Sequence, residues 1–245
     1  MITHLEELAV NAWPALQTLH RDGWVLRFAN GYTKRANAVH PLYLGTESVE
    51  AKIDFCENTY RERGLNVVFK MNPGSLPANL DRNLSDRGYI HDSLTSVQTI
   101  ELVGEDEKVS SVGITMESDA SEAWLGNCCQ MNQISDQHRG TLRQMLSNIV
   151  PVRCFASVYH HDTVVACGLG VRQSGNVGLF DLVVHPAYRG QGFGARLVSS
   201  LLLWGRQGKA RQAYLQVMLN NVPALQLYRK FGFREQYQYW YRIKS

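Results

Sequence analysis

From Leu182 to Arg234 the sequence contains no aspartate or glutamate at all, although the whole chain has 22. Long apolar runs are also missing. The best candidate, Leu197 to Trp204, is far short of the roughly 20 residues a bilayer span needs and is broken by Ser199 and Ser200, so no membrane partner is expected. The five cysteines, Cys56, Cys128, Cys129, Cys154 and Cys167, are odd in number and show no C-x-x-C spacing. They read as reduced thiols, which excludes a disulfide frame and a cysteine zinc site. The first residues, Met1 to Glu7, carry acid where a signal peptide would carry lysine or arginine, so a cytoplasmic location is expected. Neither G-x-S-x-G nor H-E-x-x-H occurs, which removes the hydrolase mechanisms that depend on them. His160-His161-Asp162 has no further ligand at metal-binding spacing; it reads as a hairpin tip, and no metal is expected.

What is present can bury a sizeable core: 245 residues, 44% apolar and 10% aromatic, with 19% charged. The net charge of +3 is too small to point to nucleic acid, but its distribution is uneven. The acid-free stretch holds Arg189, Arg196, Arg206, Lys209, Arg211, Arg229, Lys230 and Arg234, so it carries +8 while the remainder sums to −5. One segment is suited to meet an anion.

Strand patterns alternate with helical ones, and a mixed α/β sheet covered on both faces follows. In the first half, Ala15 to Phe28 reads as two strands around Asp22-Gly23, and Tyr32 to Val39 as a third. A helix carries Val49, Ile53, Phe55, Cys56 and Tyr60 and stops at Gly64. In the second half, a strand at Val112 to Met116 precedes helical patterns over Glu122–Asn132 and Gly140–Asn148. A hairpin follows (Arg153–Tyr159, Thr163–Val171), then strand Val177–Val184, helix Gly192–Gly208, strand Arg211–Leu219, helix Pro223–Lys230 and strand Glu235–Ile243. Leu65–Asn72 with Leu80–Tyr89 loosely repeats Tyr214–Asn221 with Pro223–Phe233, a faint sign of one unit used twice. The polar stretch Gly104–Ser111 suits a linker between domains at 1–104 and 112–245.

The sharpest local feature is Val184-His185-Pro186-Ala187-Tyr188-Arg189-Gly190-Gln191-Gly192-Phe193-Gly194, which joins a strand directly to an amphipathic helix. Glycines let such a turn approach a ligand closely, and the free N–H groups of the helix start favour an anion. Gly190-x-Gly192-x-x-Ala195 formally fits a dinucleotide fingerprint, but the acid needed about 20 residues later to grip the ribose is absent until Glu235. A P-loop would need Gly-Lys-Ser/Thr, and the loop runs instead into Gly194-Ala195-Arg196.

The run Val184-x-Pro186-x-x-Arg189-Gly190-x-Gly192-x-Gly194 resembles the Arg/Gln-x-x-Gly-x-Gly/Ala signature of the GNAT superfamily of acyl-CoA-dependent N-acyltransferases. Asn221-x-x-Ala224-x-x-Leu227-Tyr228-x-x-x-Gly232-Phe233 is similar to that family's second signature. The resemblance covers about Val112 to Ile243. It implies the family's mixed sheet, with a splay between the strands ending at Val184 and Leu219. It also implies that amides of Arg189, Gly190, Gln191, Gly192, Phe193 and Gly194 bind the pyrophosphate of coenzyme A, with Arg189 adding charge-assisted contacts. Leu182, Val183 and Val184 would pair through their backbone with the pantetheine arm, one N–H polarising the thioester carbonyl. Their side chains read simply as core. Tyr228 takes the position of the acid that protonates the departing thiolate, and also reads as a core aromatic. Asn221 caps the helix that Pro223 opens and is placed by the resemblance near the cofactor.

Asp181 is the one acid in an apolar strand, read on the face of Leu179 and Val183. A buried carboxylate is either paired, for instance with an arginine, or functional, binding or deprotonating the acceptor amine. The first half has His40-Pro41-Leu42-Tyr43-Leu44-Gly45 where a cradle would stand, and resembles the N-terminal half of tandem GNAT proteins. It is expected to wall the acceptor cleft, with Tyr32, Arg35 or Asn37 as contacts, or to be purely structural. The expectation is therefore two GNAT-like units in tandem, the first degenerate. The second would move an acetyl group from acetyl-CoA to a primary amine by direct attack in a ternary complex. The competing expectation is a non-catalytic acyl-CoA sensor or scaffold. The acceptor, a small molecule or a peptide, stays open, as does the choice between monomer and homodimer.

Overall fold

The computed structural model describes residues 1–102 and 113–245; the stretch read as a linker and Val112 lie outside the described residues. The first half runs α1 (Ile2–Ala12), β1 (Gln17–Arg21), β2 (Trp24–Phe28), β3 (Val39–Pro41), α2 (Val49–Arg61), β4 (Val67–Met71), α3 (Leu80–Asp86) and β5 (Ile90–Glu101). The second runs β6 (Ile114–Glu117), α4 (Glu122–Met131), α5 (Asp136–Ser147), β7 (Val152–His160), β8 (Thr163–Gln173), β9 (Asn176–Val184), α6 (Phe193–Gln207), β10 (Gln212–Met218), α7 (Val222–Phe231) and β11 (Arg234–Lys244). No described helix is long and apolar enough to cross a membrane.

Most elements fall where the hydrophobic period puts them, and three differences have physical causes. Helix α1 was not expected, yet Leu5, Leu8, Ala9 and Ala12 form its buried stripe at helical spacing. The strand expected over Tyr32–Val39 is a loop with one 3-10 turn at Lys34–Ala36, and only Val39–Pro41 is strand. Asn37 explains this. Its side chain accepts from the amides of Ala29 and Gly31 and donates to the carbonyls of Tyr32 and Thr33, which folds the segment back on itself. The helix expected from Gly140 begins at Asp136 after Ser135, because Gly140 is tolerated within the helix rather than starting it.

Among the described residues the strands form one sheet in the order β1-β2-β3-β4-β11-β5-β10-β9-β8-β7-β6. The pairs β3·β4 and β9·β10 are parallel and the rest antiparallel. Each half ends in a strand that completes the other: β5 lies against β10, and β11 lies against β4. The two exchanged strands pair with each other along the middle of the sheet.

Helices α1, α4 and α5 cover one face of the sheet, packing Leu5, Leu8, Trp124, Leu142 and Met145 on Val97, Phe180 and Tyr214. On the other face α6 and α7 cover the second half, where Leu197, Leu201 and Tyr228 join Val177, Leu179 and Leu215. Helices α2 and α3 cover that face of the first half. The buried carboxylate of Glu6 on α1 accepts from Lys70 Nζ at 2.6 Å and from Tyr237 Oη at 2.7 Å, so one residue ties the helix to both β4 and β11. All five cysteines are buried and free.

Candidate functional site

The site begins with an irregularity in β9. Phe180 pairs with Leu169 and Val183 with Cys167 on β8, so Asp181 and Leu182 together stand opposite Gly168. Asp181 takes the left-handed φ of +47° that such a bulge requires. A Cβ on Gly168 would lie 2.5 Å from a Leu182 methyl, so Leu182 packs directly over the glycine opposite the bulge. The extra residue shifts the alternation, which corrects the face expected for Asp181. Val183 shares a face with Phe180, whereas Leu179, Leu182 and Val184 pack on the opposite one.

A bulge also bends its strand. Strands β9 and β10 pair from Asn176 with Gln212 to Leu179 with Leu215 and then part, while β10 continues against β5 to Met218. This is the expected splay. Residues 180–184 keep β8 on one side and present their other backbone edge to the gap.

At the mouth of the gap, a 3-10 turn at Pro186–Tyr188 leads into Arg189, Gly190, Gln191 and Gly192. Gly190 and Gly192 have φ of +76° and +87°, and a Cβ on either would meet nothing within 4 Å. Helix α6 starts at Gly192 without any side-chain cap. Its first N–H groups therefore stand over open space at the positive end of a 15-residue helix. An uncapped helix start, two left-handed glycines and a clear approach fit a diphosphate. Arg189 Nε donates to the Val184 carbonyl at 3.3 Å, which ties the cradle to the strand end. Gln191 Nε2 donates to the Ala187 carbonyl, so its side chain braces the turn. Phe193 is buried under the helix beside His160, at 5.4 Å between ring centroids.

Helix α7 closes the other bank. Asn221 Oδ1 accepts from the Ala224 amide at 3.3 Å, the expected cap. A Cβ on Gly194 would touch Val184 and Leu227, each at 3.4 Å, so the start of α6, the end of β9 and α7 converge there. Tyr228, one residue on, is 7% exposed and packs edge-on against Phe233 at 5.9 Å. Burial pushes its phenol up to about 12 and keeps it protonated.

Asp181 opens on the opposite face of β9. It lines a cavity of about 380 Å³ with Tyr32, Ile134 and His138 and the polar Asn132, Gln133 and Ser135. Arg35 Nη2 lies 3.5 Å from Asp181 Oδ1. Burial raises the carboxyl, and Arg35 opposes that rise. Tyr32 packs against His138, the rings tilted with centroids 5.3 Å apart, which joins the first half to the first turn of α5. Asn37, expected as a contact, is buried in the loop that carries Tyr32. His138 and residues 132–135 were missed by sequence reading. The only signal was their position between two helical patterns.

In the first half the matching loop is already filled. The Asp22 carboxylate accepts from the amides of Thr46 and Glu47, each at 2.9 Å, and these bonds hold it far below the usual carboxylate range. Ser48 caps α2, and a Cβ on Gly45 would lie 2.0 Å from Asp22 Oδ2.

A parallel strand pair that parts beyond a bulge, with an uncapped glycine turn at its mouth, defines the architecture of the GNAT N-acetyltransferases. The family model described as "Probable histone acetyltransferase Rv0428c C-terminal" matches residues 1–242, and the chain belongs to that family. It is 28% identical to "Uncharacterized N-acetyltransferase YobR" of Bacillus subtilis (strain 168), over 99% of this chain and 98% of that protein. Its fold is similar to that of a GCN5-related N-acetyltransferase from Kribbella flavida, with a TM-score of 0.73 and 12% identity over 99% of this chain and 95% of that one. A tandem GNAT protein from the clavulanic acid biosynthesis pathway matches with a TM-score of 0.68 and 10% identity, over 98% of this chain and 87% of that one.

Proposed function

We propose that this protein moves an acetyl group from acetyl-CoA to an amine by direct attack while both are bound. The carrying observation is that one bulged strand serves two sides: its open edge, 180–184, faces the splay and cradle, while Asp181 faces a polar cavity. Acetyl-CoA supplies an activated acyl group on a thiol that leaves readily. Amides of Arg189 to Gly194 hold its diphosphate, Asn221 borders its arm, and backbone groups of Leu182, Val183 and Val184 pair with that arm as another strand would. One N–H among those three stabilises the carbonyl oxygen as it gains charge.

The Asp181 carboxylate binds the acceptor's ammonium and takes a proton from it. The amine nitrogen then forms a bond to the acyl carbon as the carbon–sulfur bond breaks, and Tyr228 gives its phenolic proton to the departing sulfur. The second proton that the nitrogen sheds on becoming an amide replaces the one Tyr228 gave up, and the proton on Asp181 passes to solvent as the product leaves. A phenol this weak as an acid donates only in direct contact, so placement sets its contribution. The same reading divides the chain into a degenerate unit, 1–104, and a catalytic unit, 112–245. The repeated order helix, strand, helix, strand in α2–β4–α3–β5 and α6–β10–α7–β11 supports this. In the degenerate unit Asp22 occupies the loop as an internal anion.

The test is thiol release from acetyl-CoA across a panel of free amino acids, polyamines and lysine peptides, with acetyl-CoA binding followed by calorimetry. Release that depends on an amine is expected. Binding without release from any amine would instead identify an acyl-CoA sensor.

A further inference from the structure

We propose that the acceptor is a small zwitterion, an amine carrying its own carboxylate, with its ammonium at Asp181 and its carboxylate at Arg35; this rests on the acetyl-transfer reading above. Asp181 lines the cavity of about 380 Å³, and Arg35 stands 3.5 Å from it, at the long end of hydrogen bonding. The two side chains are 16% and 25% exposed, so both are reachable and both are largely desolvated.

Arg35 is held by groups other than Asp181. Its carbonyl accepts from Arg27 Nη1 at 2.6 Å, and its guanidinium lies 5.0 Å over the Trp13 ring. A guanidinium has five N–H donors, and the single long contact to Asp181 is the one hydrogen bond the Arg35 guanidinium makes among the described residues. The fork that suits a carboxylate is thus positioned and unspent. The two groups come from opposite halves of the chain, Arg35 from the loop closed by Asn37 and Asp181 from the bulge in β9.

Charge balance selects the ligand class. The pair is net neutral, so a lone cation such as a lysine side chain gains Asp181 but meets Arg35 close by. A zwitterion brings both signs, and each finds its complement. The cavity lies at the small end of ligand pockets, and its Asn132, Gln133 and Ser135 offer further polar contacts.

The test compares the twenty standard L-amino acids with their C-terminal amides as acceptors, read by thiol release from acetyl-CoA. For the best amino acid, kcat/KM should exceed that of its amide by about tenfold or more, the scale of a charge-assisted fork. Arg35→Gln should collapse the acid-to-amide ratio toward one, chiefly through KM. If its melting curve shows a misfolded chain, Arg35→Lys serves instead, keeping the charge but losing the fork, and should cut the ratio severalfold. Amides as good as acids, a ratio unmoved by substitution, or a lysine peptide surpassing every free amino acid would each overturn the proposal. Failure of every amine to release thiol while acetyl-CoA still binds would overturn the transfer reading, and this inference with it.

Discussion

Tyr228, proposed above as the proton donor, is by its contacts a packing residue. Its ring fills the core beside Phe233, and its phenol is raised by burial alone. Tyr228→Phe keeps the ring, so stability and CoA affinity should stay near wild type while kcat falls by about a hundredfold, the range for loss of a placed acid. Steady-state kinetics beside calorimetric titration of CoA checks this, and a large loss of CoA affinity in a folded variant would contradict the role. The resemblance to the family's second signature pointed to Tyr228 and Asn221, and of these readings the Asn221 cap is seen directly. The face of Asp181 was not legible. Alternation is reliable only in an unbroken strand, and the left-handed φ at Asp181 turns two neighbours to the wrong sides. Asn37 misled in the same way: a polar residue in a strand-like run closed a loop through its own side chain.

At the level of elements, the glycine turn proposed as a cradle was the most legible part because its geometry is local: two glycines with positive φ and a helix start without a side-chain cap. Gly192→Val tests it. A β-branched residue resists a φ of +87°, so the turn must rebuild and the first amides of α6 lose their aim. CoA affinity should weaken at least tenfold by calorimetry, and unchanged titration would remove the cradle from the site. The cavity at Asp181, proposed to take the acceptor, was barely legible. It is assembled from the α4–α5 turn with the first turn of α5, the bulge and a loop of the other half, none of which signals its neighbours in its own composition.

The whole molecule hangs on contacts that no periodicity announces. Glu6 reaches Lys70 and Tyr237, residues 64 and 231 positions away in sequence. Removing one partner strands the buried charge of the other, so Lys70→Met should cost about 3–5 kcal/mol in denaturant unfolding. Adding Glu6→Gln should restore much of it, and a single-variant loss below about 1 kcal/mol would contradict the assignment. The strand pattern over Glu235–Ile243 announced β11 but not its exchange with β5, because alternation reports a strand's buried face and not its partner. That exchange has a consequence for biosynthesis. As the chain leaves the ribosome, β4 waits for a neighbour translated more than 160 residues later, so the first half cannot close its sheet before nearly all of the second has emerged. The nascent protein must carry an open β edge through most of its own translation, when a chaperone or a slow codon would matter most.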